Sequence, residues 1–232
     1  MNNKHFNKSE ETWNKIAKSF DKTRKKPWLQ CIKFINDLTK DSTIADFGCG
    51  NGRHLIPCAK HCKKVYGIDI SKKLLDILKL KLEKENLKNV TLIKSNLIKI
   101  PIENCSLDSV IYIAALHNIQ NKKNRIKSLT ELRRTLKENK KAMISVWSRY
   151  QDRFREHFLE EKSKKQTNDK EFGDIIINWD LDGLKIPRFY HLYSKGEFIE
   201  DLKKADLKIL NLEEAKIVSK KDPDNFFAIV TK

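Results

Sequence analysis

The stretch Thr43–Arg53, Thr-Ile-Ala-Asp-Phe-Gly-Cys-Gly-Asn-Gly-Arg, constrains the fold more than any other part of the chain. Three alternate glycines directly after a short apolar run predict a strand that turns sharply into a helix. Gly48, Gly50 and Gly52 have no Cβ atom, so the backbone can adopt positive φ angles and approach a bound nucleoside closely. An ordinary tight turn has the same composition, so the interpretation depends on the acids nearby.

Two acidic residues favour a nucleoside cofactor over an ordinary turn. Asp69 follows a second apolar run, where an acid can accept hydrogen bonds from both hydroxyls of a ribose. The glycine spacing is G-x-G-x-G rather than the G-x-G-x-x-G of dinucleotide enzymes, and no Lys-Ser or Lys-Thr follows as in a phosphate-binding loop. Ribose recognition without provision for pyrophosphate fits S-adenosylmethionine, whose sulfonium favours a nearby acid such as Asp46. S-adenosylmethionine is therefore the predicted cofactor.

Strand and helix patterns alternate along the middle of the chain. After the glycine turn, strands are predicted at Lys64–Asp69, Val90–Lys94, Asp108–Ile113 and Lys141–Trp147, with helices to about Cys62, from the cap Ser71 and over Lys122–Lys137. This alternation predicts an α/β fold with a doubly wound, mostly parallel sheet. Two closing strands, Leu207–Glu213 and Phe226–Val230, would make it seven-stranded. In such a sheet, ligands bind beyond the carboxyl ends of the strands.

The chain is predicted to be one domain, 1–232, in four parts. These are two N-terminal lid helices (1–40), a cofactor-binding core (41–147), a substrate-side insertion after strand five (148–193), and a C-terminal helix with the hairpin (194–232). Ser9 is the predicted N-cap of the first helix, and Pro27 is placed in the first turn of the second. Ser194 and Glu197 form a capping box for the C-terminal helix. The lysine-rich Glu160–Lys170 is expected to be disordered.

The charge of the chain favours a polyanionic partner. It has 48 Lys+Arg and 31 Asp+Glu, a formal net charge of +17, which makes RNA or DNA a natural ligand. A compositional bias towards solvated lysine would give the same charge without such a partner. No apolar run approaches the roughly 20 residues of a membrane span, and the N-terminus lacks the apolar stretch of a signal peptide. We therefore expect a cytoplasmic protein with no membrane partner.

The cysteines indicate reduced thiols, since they number five and lack the spacing of a disulfide framework. His54, Cys58, His61 and Cys62 share one helix face, which raises the alternative of a zinc site. Four ligands from two turns of one helix can hardly close a tetrahedron, however. We therefore expect no metal, and we expect the small cysteine side chains to pack the helix onto the sheet.

Polar residues mark the end of the fourth strand and the approach to the last helix. His117 lies at the mouth of the fourth strand, beside the predicted cofactor, and Arg188, Tyr190 and His191 stand together before the last helix. Each set has a structural alternative, because a lone histidine is often hydrogen-bonded in a core and aromatic loops also seal domain edges. The residues alone leave both interpretations open.

Several separate stretches resemble one family, the tRNA wobble-uridine carboxymethyl methyltransferases. The similarity lies, in order, in Thr12–Trp28, Asp46–Gly52, Ile113–His117, Arg125, Val146-Trp147 and Arg188–Tyr193 followed by Gly196-Glu197. Many methyltransferases share the glycine motif, whereas the other stretches are more specific. This family occurs as a catalytic subunit paired with a small zinc-containing activator, and as a domain of AlkB-like fusion proteins. The resemblance implies the class I methyltransferase fold and methylation of the carboxylate of a carboxymethyl-type wobble uridine in tRNA.

The resemblance also implies residue roles and partners. The cofactor would be held by Asp46, Gly48, Gly50, Gly52, Asp69, Ile70, Asn96, Leu97 and Ala114, and the substrate site would contain His117, Arg188, Tyr190, His191 and Arg24. tRNA would be the substrate, and a zinc-binding activator would cover a sheet edge near the third strand, Val90–Lys94, or the fourth. A class I methyltransferase acting on a small molecule is the alternative.

The chain departs from the family pattern at three places. Asn96 stands where the family usually has an Asp for the adenine amino group, and its side-chain carbonyl can accept the same hydrogen bond without the charge. Asn139 lies in a turn where Pro-Gly-Gly is usual, and asparagine can adopt the left-handed conformation. Asn118 stands where a second histidine is common, so the match is weaker on the substrate side.

Overall fold

A seven-stranded sheet organises the part of the chain that the structure, a computed structural model, describes, namely residues 3–163 and 171–232. Its strands are β1 (Thr43–Phe47), β2 (Lys64–Asp69), β3 (Val90–Lys94), β4 (Leu107–Ile113), β5 (Leu136–Trp147), β8 (Lys208–Ala215) and β9 (Asn225–Thr231), and a separate hairpin contains β6 (Asp174–Trp179) and β7 (Ile186–His191). The order is β3-β2-β1-β4-β5-β9-β8. Strands β1 to β5 pair in parallel, and β9 runs antiparallel to β5 and β8. The predicted doubly wound sheet and its closing hairpin are confirmed.

Helices cover both faces of this sheet. They are α1 (Asn3–Thr23), α2 (Leu29–Asn36), α3 (Leu55–His61), α4 (Lys72–Lys84), α5 (Lys122–Thr135), α6 (Arg155–Ser163) and α7 (Lys195–Lys204). Neighbouring residues of a strand point to opposite faces, so Val110 and Tyr112 of β4 pack with α5 and α7, whereas Ile111 and Ile113 pack with α2, α3 and α4. The chain therefore has a core on each side of the sheet.

Two predicted helix caps and one predicted turn are confirmed. The Ser71 hydroxyl accepts a hydrogen bond from the Leu74 amide at the start of α4, and the Ser194 hydroxyl accepts one from the Glu197 amide at the start of α7. Asn139 has φ 60°, and the pairing of β4 with β5 skips the residues around it. Regular pairing thus resumes at Lys141, where strand five was predicted to begin.

Both predicted starts of the N-terminal helices are wrong. α1 begins at Asn3, so Ser9 lies inside the helix and caps nothing. No glycine or proline separates residues 3 and 9, so the helix continues towards the N-terminus. α2 begins at Leu29 with Trp28 as its N-cap, which leaves Pro27 just outside the helix rather than in its first turn.

The insertion contains more regular structure than its sequence pattern indicated. α6 packs on the β6–β7 hairpin through a small hydrophobic cluster of Phe154, Phe158, Ile177, Tyr190 and Leu192. Of the stretch expected to be disordered, residues 160–163 finish α6, so the expectation is wrong there. Residues 164–170 lie outside the part of the chain that the structure describes.

The order of strands decides which edges are free. β3 is an edge strand, whereas β4 lies between β1 and β5 in the interior. The expectation of a partner at an edge near the fourth strand is therefore wrong, and β3 is the remaining candidate. Within the described ranges, no helix is both long and apolar enough to cross a membrane.

Candidate active site

A crevice of about 370 Å³ opens beyond the carboxyl ends of the parallel strands. Its lining includes most of the residues predicted for the cofactor, Gly48, Gly50, Asp69, Ile70, Asn96, Leu97 and Ala114, and most of those predicted for the substrate, Arg24, His117, Arg188 and Tyr190. The volume lies in the range of small-molecule sites. α1, the glycine turn, β4 and the β6–β7 hairpin thus contribute to one cavity.

Asp69 is fixed by the glycine turn that it faces. Its Oδ2 accepts a hydrogen bond from the Gly50 amide at 2.9 Å, and its Oδ1 accepts one from the Ser71 amide at 2.8 Å. Burial raises the pKa of Asp69 to about 6, although these amide donors favour the ionised form. The Ile70 amide donates a third hydrogen bond, and a carboxylate has about four acceptor positions, so at least one remains free. The residue can therefore accept hydrogen bonds from a ribose, as predicted for a nucleoside cofactor.

Two of the three motif glycines are required by neighbouring side chains. Gly48 has φ +76°, and a Cβ atom there would lie 2.4 Å from the Cβ of Ala115. Gly52 has φ +84°, and its Cβ would lie 2.2 Å from Leu78 of α4. Gly52 does not line the crevice. Its place in the motif is explained by the close packing of the turn on α4 rather than by contact with a ligand.

Asp46 also lies behind the crevice instead of in its wall. Burial raises its pKa to about 8, the negative charge of Asp69 adds to this effect, and Arg53 opposes it. Without a ligand, Asp46 is therefore mostly protonated at neutral pH, and it does not contact the crevice.

The adenine end of the crevice has the acceptor that the sequence suggested. Asn96 lines the cavity together with Asp69 and Leu97. Its Oδ1 accepts the Ile98 amide at 3.1 Å, and a carbonyl oxygen has a second lone pair for an exocyclic amino group. The ribose acceptor, this amide and the glycine turn together fit S-adenosylmethionine.

Backbone strain at the end of β4 positions His117. Ala114 has φ 54°, an uncommon conformation for a residue with a Cβ atom, and it is held by hydrogen bonds from its amide to Ser145. The chain then forms a short 3-10 turn, Leu116–Asn118. Strain of this kind is typical of functional sites, and no sequence pattern indicated it.

His117 is a neutral hydrogen-bond donor. Its Nδ1 accepts the Trp147 amide at 3.0 Å, so the proton of the neutral ring lies on Nε2. Burial lowers the pKa of His117 to about 3, and the positive charges of His191 and Arg188 contribute. Nε2 is buried and has no hydrogen-bond partner among the described residues. A buried donor beside a cavity is satisfied when a ligand supplies the acceptor.

An aromatic stack adjoins this donor. Trp147 and Tyr190 are parallel, with ring centroids 5.0 Å apart and an interplanar angle of 5°. The His117 ring lies 5.2 Å from Trp147 and 5.5 Å from Tyr190. Packing of these rings fixes the direction of the His117 ring and of the Tyr190 hydroxyl, which accepts a hydrogen bond from Arg188.

Two arginines face the same cavity without acidic partners. The guanidinium carbons of Arg24 and Arg188 lie 5.6 and 4.8 Å from the ring centroid of Trp179. No carboxylate of the described residues forms a salt bridge with either arginine. Burial lowers the pKa of Arg188, and the charge of Arg24 contributes. Two unpaired cations held close together make a site for an anion. Trp179, which supports both, was missed because its strand was not predicted.

His191 does not line the crevice, so its predicted place in the substrate site is wrong. Arg188 and Tyr190 occupy alternate positions of β7, and the next residue points to the opposite face of the strand. The ring of His191 is fully buried, and its two nitrogens lie within hydrogen-bond distance of Asp174 and Glu197.

The four residues considered for zinc lie on α3 or at its caps, and His61 is half-buried. Cys58 and Cys62 are buried in the cluster that packs α3 on the sheet. The His54 Nε2 accepts the Trp28 amide, and the His61 Nε2 contacts the Leu38 carbonyl. These contacts agree with the packing interpretation of the four residues.

This fold and this crevice are those of a class I S-adenosylmethionine-dependent methyltransferase. Residues 44–139 match the family described as "Methyltransferase domain". The structure is similar to that of a SAM-dependent methyltransferase from Methanosarcina mazei, with a TM-score of 0.73, 19% identity, and coverage of 89% of this chain and 98% of that one.

Sequence relatives give the narrower assignment. The chain is 28% identical to the tRNA (carboxymethyluridine(34)-5-O)-methyltransferase of Schizosaccharomyces pombe, over 96% of this chain and 95% of that protein. It is 30% identical to the tRNA (carboxymethyluridine(34)-5-O)-methyltransferase ALKBH8 of Mus musculus, over 75% of this chain but only 23% of the mouse protein. The chain is thus similar over nearly its whole length to a tRNA wobble-uridine carboxymethyl methyltransferase.

Proposed function

We propose that the chain transfers the methyl group of S-adenosylmethionine to the carboxylate of a carboxymethyl-type uridine at the tRNA wobble position, forming the methyl ester. One observation carries the proposal: the unpaired arginines Arg24 and Arg188 share a cavity with the buried donor His117 Nε2 and with the cofactor residues. A carboxylate matches both the charge of the arginines and the unused donor. The names of the fission-yeast and mouse relatives support the same acceptor.

The chain's residues orient and desolvate the acceptor rather than activate it. When bound, S-adenosylmethionine supplies an electrophilic methyl group. A carboxylate is an anionic nucleophile at neutral pH, so no general base is needed. His117, whose pKa is about 3, stays neutral and holds the acceptor by a hydrogen bond from its Nε2–H group. Arg24 and Arg188 neutralise the charge of the acceptor as it enters the crevice and loses water. Fixing the acceptor in this way can supply several kcal/mol by lowering the entropic cost of the reaction.

The test uses labelled cofactor and tRNA from cells that lack the protein. We expect label in tRNA, in a nucleoside that loses it on mild alkaline treatment, because a methyl ester hydrolyses whereas methyl groups on base nitrogen, base carbon or ribose oxygen do not. Alkali-stable label would exclude the carboxylate as the acceptor. No label in tRNA, with S-adenosylhomocysteine still bound, would favour a small-molecule substrate instead.

We also propose a small zinc-binding activator as a partner on β3. β3 is a free edge, and an apolar groove beside it is lined by residues that include Leu82, Leu87 and Leu92. Unpaired edges of this kind are commonly covered by another chain. We expect the activator to raise tRNA methylation and to co-elute with the chain on size-exclusion chromatography. A monodisperse chain with full activity alone would contradict the proposal.

A further inference from the structure

His191 occupies a closed electrostatic site behind the crevice. Its Nδ1 lies 2.7 Å from Asp174 of β6, and its Nε2 lies 2.9 Å from Glu197 of α7. The imidazole is fully buried, and the two carboxylates come from two different elements. A neutral imidazole can donate only one hydrogen bond, whereas an imidazolium donates two. The geometry therefore matches the charged ring.

The groups around His191 leave room for one more positive charge. Asp174 of β6 and Glu197 of α7 contact the ring, and the Tyr193 ring lies 4.9 Å from it. The other charged groups of this cluster are Glu171 before β6, Asp201 on α7, Lys122 and Arg125 on α5, and Arg149 after β5. The guanidinium of Arg125 pairs with Glu171, and that of Arg149 pairs with Glu197. Four carboxylates thus face two guanidiniums and the Lys122 ammonium, which lies 3.5 Å from Asp201, and a protonated His191 supplies the fourth cation.

A metal ion explains the site less well. The ligand atoms of Glu171, His191 and Glu197 lie within 4.8 Å of one another, a spacing that would suit a metal. Both carboxylates are already paired with guanidiniums, however, and Arg125 and Arg149 would repel a metal cation. Their positions favour a proton on His191 over a metal bound to it.

We propose that His191 is a positioning residue, a buried imidazolium that joins β6 to α7 and thereby fixes β7, whose Arg188 and Tyr190 line the crevice. The link is short, because His191 follows Tyr190 directly in the strand. The inference rests on the proposed function for its activity measurement, and the charge state of His191 is measured independently of it.

The titration of His191 agrees with this geometry. Burial disfavours the cation, but hydrogen bonds to Asp174 and Glu197 outweigh it and raise the pKa of His191 above the ordinary value. A histidine with a raised folded pKa stabilises the protein fully below its unfolded pKa, near 6.5, and that contribution is lost as pH rises through the folded pKa. The positive charge on His191 also helps to hold His117 neutral.

The decisive measurement is the NMR titration of histidine rings in the full chain labelled with 15N-histidine. We expect one buried ring to carry protons on both nitrogens at pH 7, and its signal to be absent in His191→Gln. Asp174→Asn keeps an acceptor oxygen but removes one charge, so it should lower the pKa of His191 by about one to three pH units. If His191→Gln does not fold, the shift in Asp174→Asn identifies the signal.

Activity provides the second measurement. We expect His191→Gln to lower kcat for tRNA methylation about tenfold or more, with S-adenosylhomocysteine affinity within about twofold of wild type, and Asp174→Asn to move the alkaline loss of kcat to lower pH. The matched control is His157→Gln, at an exposed histidine of α6. It should change neither kcat nor the pH dependence of kcat. Glutamine cannot carry the charge, so these effects report the imidazolium and not only its volume.

Two results would overturn the inference. One is a His191 ring that is neutral at pH 7 in the wild type. The other is a protein whose unfolding temperature falls with EDTA and is restored by zinc, which would make His191 a metal ligand. Wild-type protein that binds S-adenosylhomocysteine but never methylates tRNA would remove the proposed function and leave the NMR titration as a valid test.

Discussion

At the scale of single residues, a buried acid behind the crevice makes the stability of the protein without ligand depend on pH. Asp46 is almost completely buried, and burial raises its pKa to about 8. The unfolded chain ionises an aspartate near pH 3.9, so between about pH 4 and pH 8 the folded state binds more protons than the unfolded state. Stability therefore falls as pH rises through this window. A cationic sulfonium in the crevice would offset that loss.

Asp46→Asn should stabilise the protein without ligand, and more so at high pH. Asparagine keeps the shape but never ionises, so the gain in unfolding free energy should be at least about 1 kcal/mol larger at pH 8 than at pH 5. Denaturant unfolding at both pH values measures the difference. Asp41→Asn, an exposed aspartate, is the control and should be nearly neutral. Equal effects of Asp46→Asn at the two pH values would show that Asp46 is ionised throughout.

His117→Asn separates the two nitrogens of the ring. The amide oxygen of asparagine can still accept the Trp147 amide, as Nδ1 does, but the Nε2 donor is lost. We expect kcat for tRNA methylation to fall about a hundredfold, the usual cost of removing one preorganised donor, with S-adenosylhomocysteine affinity retained in calorimetry. Because the pKa of His117 is about 3, the wild-type and variant pH profiles should have the same shape between pH 5 and 9. If a pH-dependent limb of the wild-type kcat profile is missing in the variant, His117 acts as a base.

At the scale of elements, α1 joins the cofactor half of the crevice to the substrate half. Its Asn14 accepts hydrogen bonds from the Ser71 hydroxyl and the Lys73 amide, next to Asp69. Asn51 of the glycine turn donates to Asp21 of α1 and to the Arg24 carbonyl. These bonds fix the helix on the cofactor turn, and Arg24 follows directly from its end.

Asn14→Ala should therefore weaken cofactor binding although Asn14 contacts only protein. Loss of the hydrogen bonds at the start of α4 allows α1 to leave the crevice, and we expect S-adenosylhomocysteine to bind about 1 kcal/mol more weakly, roughly fivefold in Kd. Calorimetry measures this change. Lys15→Ala, on the exposed side of the same helix, should leave Kd unchanged. Similar losses in both variants would point to helix propensity rather than docking.

The elements that were predicted are those with local signals. β2 and β3 have the predicted bounds because apolar runs end at turn residues, and α4 and α7 start at the predicted serine caps. β6 and β7 were missed because their hydrophobic cluster forms only with α6, and no local period reveals that contact. Strands and helices that end at local turn or cap residues can therefore be predicted from sequence. The packing of an insertion cannot, because it depends on contacts between separate elements.

The residues of the site also fall into those with a local sequence signal and those without one. Asp69 and Asn96 were found because the ends of parallel strands meet at one rim, and they do line the crevice. Arg188, Tyr190 and His191 were singled out by their neighbouring positions in the chain, and the resemblance gave them a role. Neither argument distinguishes the two faces of β7, so His191 was included. Trp179 had no signal, since its role depends on the positions of Arg24 and Arg188 in space.

At the scale of the whole molecule, the net charge of +17 has two interpretations. It provides a surface that binds RNA, or it reflects only a lysine-rich composition. Many lysines are paired within the chain, such as Lys60 with Glu85 and Lys195 with Glu214, and exposed pairs of this kind contribute little to stability. Arg24 and Arg188, which line the crevice and form no salt bridge with the described residues, argue for RNA more strongly than the total charge does. The number of phosphates that the protein neutralises distinguishes these two interpretations.

Salt dependence counts those phosphates. Binding of tRNA across six to ten phosphates should lose about 10³- to 10⁵-fold in affinity between 50 and 200 mM salt, because condensed counterions are released. S-adenosylhomocysteine enters a small crevice and carries little net charge, so its affinity over the same range serves as the internal control and should stay nearly constant. If Arg24 contacts a phosphate, Arg24→Gln should reduce the slope of log K against log salt by about one. If Arg24 instead pairs with the acceptor carboxylate, the variant should leave this slope unchanged and lower kcat. A slope equivalent to only one or two phosphates would assign the positive charge to composition, and the tRNA would then have to be recognised through another chain such as the activator on β3.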